Sequence, residues 1–194
     1  ELPWPAHMYV EGGDQHRGWF HSSLLVGVGL RQGSPYRNCA THGFVLDADG
    51  RAMSKSLGNI IEPQTIVGKY GAEVLRLWVA SVEFTEDVRI SDTILTRLSE
   101  AYRKIRNTFR YALGNLYDFD PAADTVAPAQ LLEIDQWILL RAEALVRECR
   151  ARYEEFAFHR VYQALYNFSV TDLSAIYFDV LKDRLYTSAP KSRA

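Results

Sequence analysis

Glycine is spread unevenly along this chain, and that asymmetry constrains its fold more than any other feature. Residues 1–60 hold nine of the twelve glycines and three of the seven prolines, while the rest carries long stretches with a helical apolar period. Such a switch predicts an α/β segment of short strands and turns followed by an α-helical bundle, predominantly helical overall. Tyr9-Val10 ahead of Glu11-Gly12-Gly13-Asp14 reads as a strand entering a Gly-rich loop, and Trp19 to Leu30 as a helix. Gly43-Phe44-Val45-Leu46 reads as a second strand with Asp47 to Gly50 as its turn. Strand, helix, strand at this spacing implies parallel strands. From about residue 64 the period is helical: a short helix around Val74 to Trp78, a long one over 91–117, then a Pro/Ala/Asp loop from Phe119 to Pro128. A helix over 131–154 follows, with one or two more over 158–185 that break near Ser169 to Asp172.

The long helix can be tested on a wheel. At about 100° per residue, Leu98, Ala101, Tyr102, Ile105, Phe109, Ala112 and Leu113 fall within roughly 120° of one another, a core-facing stripe. Arg103, Arg106 and Arg110 gather in an adjacent arc of roughly 60°. Between residues 97 and 110 there are five basic side chains against one Glu. This is the composition of a solvated basic face, and equally of a track for an RNA phosphate backbone. Net charge is −2, which excludes a global attraction to nucleic acid and leaves any RNA contact to that local stripe.

Hydrophobic residues make up 47% and charged ones 24%, which excludes disordered and collagen-like classes. The apolar run from Leu24 to Leu30 is seven residues long with two glycines, far short of the roughly 20 needed to cross a bilayer, so no membrane span is expected. Cys39 and Cys149 stand apart with no CxxC or Cys/His ligand spacing, which predicts no metal site and a reducing cytoplasm. No basic, apolar leader opens the chain and the first methionine is Met8, as expected for a piece of a longer protein.

Two stretches carry chemistry. In Ala52-Met53-Ser54-Lys55-Ser56-Leu57-Gly58-Asn59, a lysine lies between two serines in a loop bracketed by Gly50 and Gly58. That composition suits a mobile phosphate clamp: the ammonium is a compact point charge, and hydroxyls and backbone amides add donors. Surface loops share it, and the Walker pattern is absent. In Glu11-Gly12-Gly13-Asp14-Gln15-His16-Arg17-Gly18-Trp19-Phe20, two glycines allow close backbone approach. Asp14 and Gln15 can hydrogen-bond hydroxyls, Glu11 can hold a cationic group, and Trp19 and Phe20 offer an apolar wall. In an open α/β sheet this loop lies where ligands bind, at the carboxyl ends of the strands. His16 and His21 are five apart, which fits neither a zinc helix nor a nucleophile–base pair.

Together the two stretches resemble the isoleucyl-tRNA synthetase family of class I. Met8 to Phe20 is similar to that family's EGSDQHRGWF loop, and Ala52 to Ser56 stand at the place of its KMSKS motif. Thr41-His42-Gly43-Phe44, Gly71 to Trp78, Tyr102 to Thr108 and Ile176 to Thr187 also match. KMSKS is shared with the methionine, valine and leucine enzymes, whereas DQHRGWF and the KDRLYT-like end are more specific.

The resemblance implies a domain plan: residues 1–62 as the C-terminal part of a nucleotide-binding catalytic core, 63–95 as a connector, and 96–194 as a truncated anticodon-binding bundle. It implies ATP with Mg²⁺, isoleucine and tRNA(Ile) as partners of a monomeric full enzyme. It also implies that this stretch alone is inactive, because the HIGH motif is missing. Lys55 would act on the ATP phosphates within the loop Ala52, Met53, Ser54, Lys55 and Ser56. Glu11, Gly12, Asp14, Gln15, Trp19 and His42 would contact isoleucyl-adenylate, with Trp19 lining the isoleucine pocket. Two departures stand out: Ala52 replaces the motif's first lysine, leaving Arg51 as a partial substitute, and Gly13 replaces a serine. The rival readings are a sibling synthetase and a non-catalytic RNA-binding module.

Overall fold

A computed structural model describes residues 3–189. The chain forms two compact units: Glu1–Glu62 with Glu83–Asp92, and Pro63–Val82 with Thr93–Ala194. Residues 63–95, read from sequence as one connector, are thus divided between them.

In the first unit, β1 (Ala6–Gly12) runs into a 3-10 turn (Gly13–Arg17) and then α1 (Trp19–Arg31). The chain returns through β2 (Tyr36–His42), which pairs with β1 in parallel, Ala6 opposite Tyr36 and Gly12 opposite His42. This strand–helix–strand layout needs a crossover of a dozen residues, and α1 supplies it. The sequence expectation placed the second strand at Gly43 to Leu46. The structure shifts it: residues 36–42 pair with β1, and only Val45–Leu46 form β3, which pairs in parallel with β4 (Val88–Arg89). Gly43 separates the two strands because the 83–87 segment passes over it; a Cβ there would collide with the Glu86 carbonyl. The Gly43 N–H donates to the Phe84 carbonyl at 2.9 Å and the Phe44 N–H to Asp87 Oδ1 at 2.7 Å.

The second unit is helical. It comprises α2 (Pro63–Tyr70), α3 (Ala72–Ser81), α4 (Asp92–Gly114, of which Asp92 belongs to the first unit), α5 (Glu133–Glu154) and α6 (Phe158–Asn167). A wider-wound π stretch, Phe168–Tyr177, leads without interruption into α7 (Phe178–Thr187). The break expected near Ser169 to Asp172 is therefore a change of winding. Asp172 is buried there and receives Arg141 at 2.9 Å, and the Ser174 hydroxyl donates to the Ser169 carbonyl at 2.7 Å. Ile66, Val74, Trp78, Leu95, Leu98, Ala101, Ile138 and Val161 form the core.

The stripe on α4 is buried at Leu98 and Ala101 but not at its far end, where Phe109 and Leu113 are 64% and 67% exposed. Phe109 lines an open apolar groove of about 610 Å³ together with Tyr102, Ile105, Leu165 and Phe178. Asp135 ties α5 to α7 by accepting from Arg184 at 2.9 Å and from the Tyr177 hydroxyl at 2.8 Å. Among the described residues no helix is long and apolar enough to cross a membrane.

Candidate functional site

The loop after β1 and the end of β2 lie side by side because the parallel register sets Glu11 opposite Thr41 and Gly12 opposite His42. Gly12 is buried, and a Cβ on it would sit 2.7 Å from Asp14 Oδ1, so only glycine leaves the Asp14 side chain its place. Gln15 Nε2 donates to Asp14 Oδ2 at 2.9 Å, and Gln15 Oε1 accepts the Trp19 N–H at 3.0 Å. Gln15 thereby satisfies one of the free amides at the start of α1, which has no side-chain cap from Gly18. Asp14 and Gln15 are held as a pair, with Asp14 exposed and Gln15 half-buried.

Trp19 is 46% exposed and stacks on Tyr9, with ring centroids 4.1 Å apart and planes 11° from parallel. Phe20 is buried behind it. Glu11 and His42 are exposed, and His42 Nδ1 lies 2.9 Å from the Gly43 carbonyl. The first stretch thus offers a glycine cradle, a fixed Asp–Gln pair, a flat aromatic wall and an exposed carboxylate.

The second stretch hangs from the turn after β3. Leu46 bridges Ala52 in antiparallel sense, and the Asp47 N–H donates to the Arg51 carbonyl at 2.9 Å. Asp47 is buried; the Asn59 amide above all, then the Arg51 backbone N–H, hold its carboxyl down to about 2 against the opposing effect of burial. Arg51 pairs with Asp47 at 3.0 Å and with Asp49 at 2.7 Å. Beyond Ala52, Met53 and Ser54 are half-buried while Lys55 and Ser56 are exposed. The Ser54 and Ser56 hydroxyls are 3.1 Å apart. The Lys55 ammonium makes no hydrogen bond or ion pair with any described residue, and so is open to whatever approaches the loop.

In the second unit, Arg103, Arg106 and Arg110 are exposed and form no ion pair among the described residues. Sequence reasoning missed a second cluster of arginines there: Arg141, Arg152 and Arg160 line a hollow of about 670 Å³ beside α6, with Glu148 and Asp172 among them. They are spread over two helices, so no single-helix wheel collects them. No group of three His, Cys, Asp or Glu side chains that could hold a metal ion exists among the described residues.

An exposed lysine loop, a glycine cradle at the carboxyl ends of parallel strands and an attached helical bundle are the parts of a class I synthetase. Residues 1–91 match the family of class I tRNA synthetases (I, L, M and V), and residues 135–194 match the anticodon-binding domain of tRNA ligases. In fold, the chain is similar to Mycobacterium tuberculosis methionyl-tRNA synthetase in complex with methionyl-adenylate. That match has a TM-score of 0.75 and 24% identity, and covers 98% of this chain and 37% of the other. It is also similar to the LeuRS of Agrobacterium radiobacter K84 in a ternary complex with tRNA and LeuAMS, with a TM-score of 0.70 and 22% identity over 87% of this chain and 22% of the other.

Sequence narrows the class. The chain is 55% identical to the isoleucine–tRNA ligase of Syntrophotalea carbinolica, over 100% of its own length and 21% of that protein's. It is likewise 55% identical to that of Brevibacillus brevis, over 98% and 21%. The chain belongs to the isoleucine–tRNA ligase family, and spans about a fifth of the length of these relatives.

Proposed function

We propose that this chain supplies one wall of an isoleucyl-adenylate site, within an enzyme that activates isoleucine with ATP and transfers it to tRNA(Ile). The observation that carries the reading is the register of β1 and β2. It gathers Glu11, Gly12, Asp14, Gln15, Trp19 and His42 at the carboxyl ends of two parallel strands, where open α/β sheets bind ligands. In the activation step a carboxylate oxygen of isoleucine attacks the α-phosphorus of ATP, and the bond to the bridging oxygen of pyrophosphate breaks. Lys55 neutralises the charge that develops on the leaving pyrophosphate, and the Ser54 and Ser56 hydroxyls add donors beside it.

Glu11 takes the ammonium of isoleucine. Gly12, Asp14 and Gln15 run along the adenylate, Trp19 forms a wall for the isoleucine side chain, and His42 lies by the nucleotide. Preorganisation suits this work, because catalysis here is positioning and electrostatics and needs no protein nucleophile. Mg²⁺ would accompany the ATP phosphates as their counter-ion; the described residues offer no cluster of His, Cys, Asp or Glu to hold it.

Residues 1–62 serve as the C-terminal part of the catalytic core, 63–95 as connector and 96–194 as the anticodon-binding bundle, with Arg103, Arg106 and Arg110 on RNA phosphates. The full enzyme works as a cytoplasmic monomer. This stretch alone should show no isoleucine-dependent ATP–pyrophosphate exchange. The test is Lys55→Ala in a full-length ligase carrying this chain at its aligned position. Exchange should fall about 100–1000-fold, the scale of losing one preorganised donor, with isoleucine binding little changed. A kcat within a few-fold of the parent would leave Lys55 a surface lysine.

A further inference from the structure

The signature loop has a support that neither its motif nor its lysine explains. Asp47, 7% exposed, accepts four hydrogen bonds: from the Asp49 N–H at 3.0 Å, the Arg51 N–H at 2.8 Å, Arg51 Nε at 3.0 Å and Asn59 Nδ2 at 2.9 Å. Asn59 does more than close that set. Its Nδ2 also donates to the Ala52 carbonyl at 3.2 Å, and its Oδ1 accepts the Ser54 N–H at 2.9 Å. One side-chain amide therefore grips the turn before the loop, the loop's first residue and its third. Within the loop the Leu57 N–H donates to Ser54 Oγ and the Gly58 N–H to the Lys55 carbonyl, both at 3.3 Å.

We propose that Asp47 and Asn59 form a staple that fixes the base of the 52–58 loop, and that they are positioning residues acting through Lys55. The inference rests on the reading of Lys55 given above. Both ends of an otherwise irregular loop are pinned to one buried carboxylate, which shrinks the space the Lys55 Cα explores while its side chain stays free. The same geometry settles the job of Arg51. Its guanidinium is engaged by Asp47 and Asp49, so it neutralises the staple and does not replace the lysine absent at Ala52. Asn is the residue this place requires: Asp would set a second carboxylate against Asp47, and Ala would forfeit all three hydrogen bonds.

The test is a double-mutant cycle on ATP–pyrophosphate exchange in the full-length ligase carrying this chain, with Lys55→Ala, Asn59→Ala and the pair together. Asn59→Ala should lower kcat by about 100-fold, as a displacement of about 1 Å does, with the KM for isoleucine within about two-fold. The double variant should be no slower than Lys55→Ala alone. If the two losses multiply, Asn59 does not act through Lys55 and the proposal falls. Asn59→Asp, which keeps the acceptor for the Ser54 N–H, should match Asn59→Ala and stands in if that variant does not fold. Should Lys55→Ala leave kcat intact, the reading of Lys55 has failed. The staple is then judged by trypsin cleavage after Lys55: faster cutting of folded Asn59→Ala supports it, and equal cutting overturns it.

Discussion

The two units of this chain are held by different physics. Of the ten apolar side chains buried among the described residues, eight belong to the helical unit and Phe20 and Ile90 to the strand-containing one. In the first unit α1 leaves Leu25, Val26, Val28 and Leu30 more than half exposed, and beside one aromatic cluster of Tyr9, Trp19, Phe20 and Tyr36 its local order comes from polar contacts: Asp47 with Asn59 and Arg51, Gln15 with Trp19, Asp87 with Phe44. The lesson is that burial and chemistry have been separated. Segments with few buried apolar contacts open at low free energy, which would suit the nucleotide-closing loops of the proposed function, while its proposed RNA-carrying scaffold would benefit from a packed interior.

The sharpest way to break that comparison is to remove a core side chain. Trp78→Ala in α3 should cost about 3–5 kcal/mol in urea unfolding, the usual price for a buried Trp. Leu30→Gln on α1, where the leucine is 80% exposed, should stay within about 0.5 kcal/mol. Similar losses at the two positions would show that the contrast in burial does not govern stability.

A smaller effect separates the units by pH. Asp47 sits at about 2 in the folded loop against an ordinary 3.8, so its contribution is complete above about 4 and is lost as pH falls through 2. In the bundle, Tyr177 is pushed up to about 12 by burial and by its hydrogen bond to Asp135. The folded form then holds a proton that the unfolded chain releases near 10, and stability declines as pH rises from about 10 to 12. Asp135 itself is raised by burial, but Arg184 and Tyr177 outweigh this and leave it below its ordinary value, so the bundle also weakens in acid. Alkaline titration followed by circular dichroism should therefore melt helix before the Asn59 side-chain amide resonances respond. Tyr177→Phe should remove much of that alkaline loss, and a bundle equally labile in the variant would assign the loss elsewhere.

How much of this was legible in sequence follows from how local each feature is. Helices α4 and α5 were, because their apolar period runs through more than twenty residues. Strand β2 was not: Tyr36-Arg37-Asn38-Cys39-Ala40-Thr41-His42 has no clear alternation, and its pairing is set by β1 thirty residues earlier. The apolar Gly43 to Leu46 run looked more like a strand and supplied only two residues of one. The π stretch was misread as a break because Ser169 and Asp172 are poor helix formers in isolation, whereas here Arg141 and the Ser174 hydroxyl occupy their polar groups. Lys55 and the Glu11 to Trp19 loop stood out as motifs. The Asp47–Asn59 staple did not, since residues twelve apart in a loop have no period that would reveal their contact.

Those arginines give the smallest expected effect on the fold and the most pointed one on partnership. Arg103, Arg106 and Arg110 are exposed with no ion pair among the described residues, so replacing all three by Gln should change unfolding free energy by no more than about 0.5 kcal/mol. Adenylate formation, which the proposed function assigns to residues of the other unit, should be unchanged. In the full-length ligase the triple variant should bind tRNA more weakly, and its dependence of log affinity on log salt should flatten by roughly 0.7–0.9 per lost phosphate contact. With a net charge of −2, no general attraction masks the loss of a local one. An unchanged salt slope with unchanged stability would make the stripe a solvated face and shift attention to Arg141, Arg152 and Arg160. There Arg141 and Arg152 already hold carboxylates, and Arg160 alone is left to meet a phosphate.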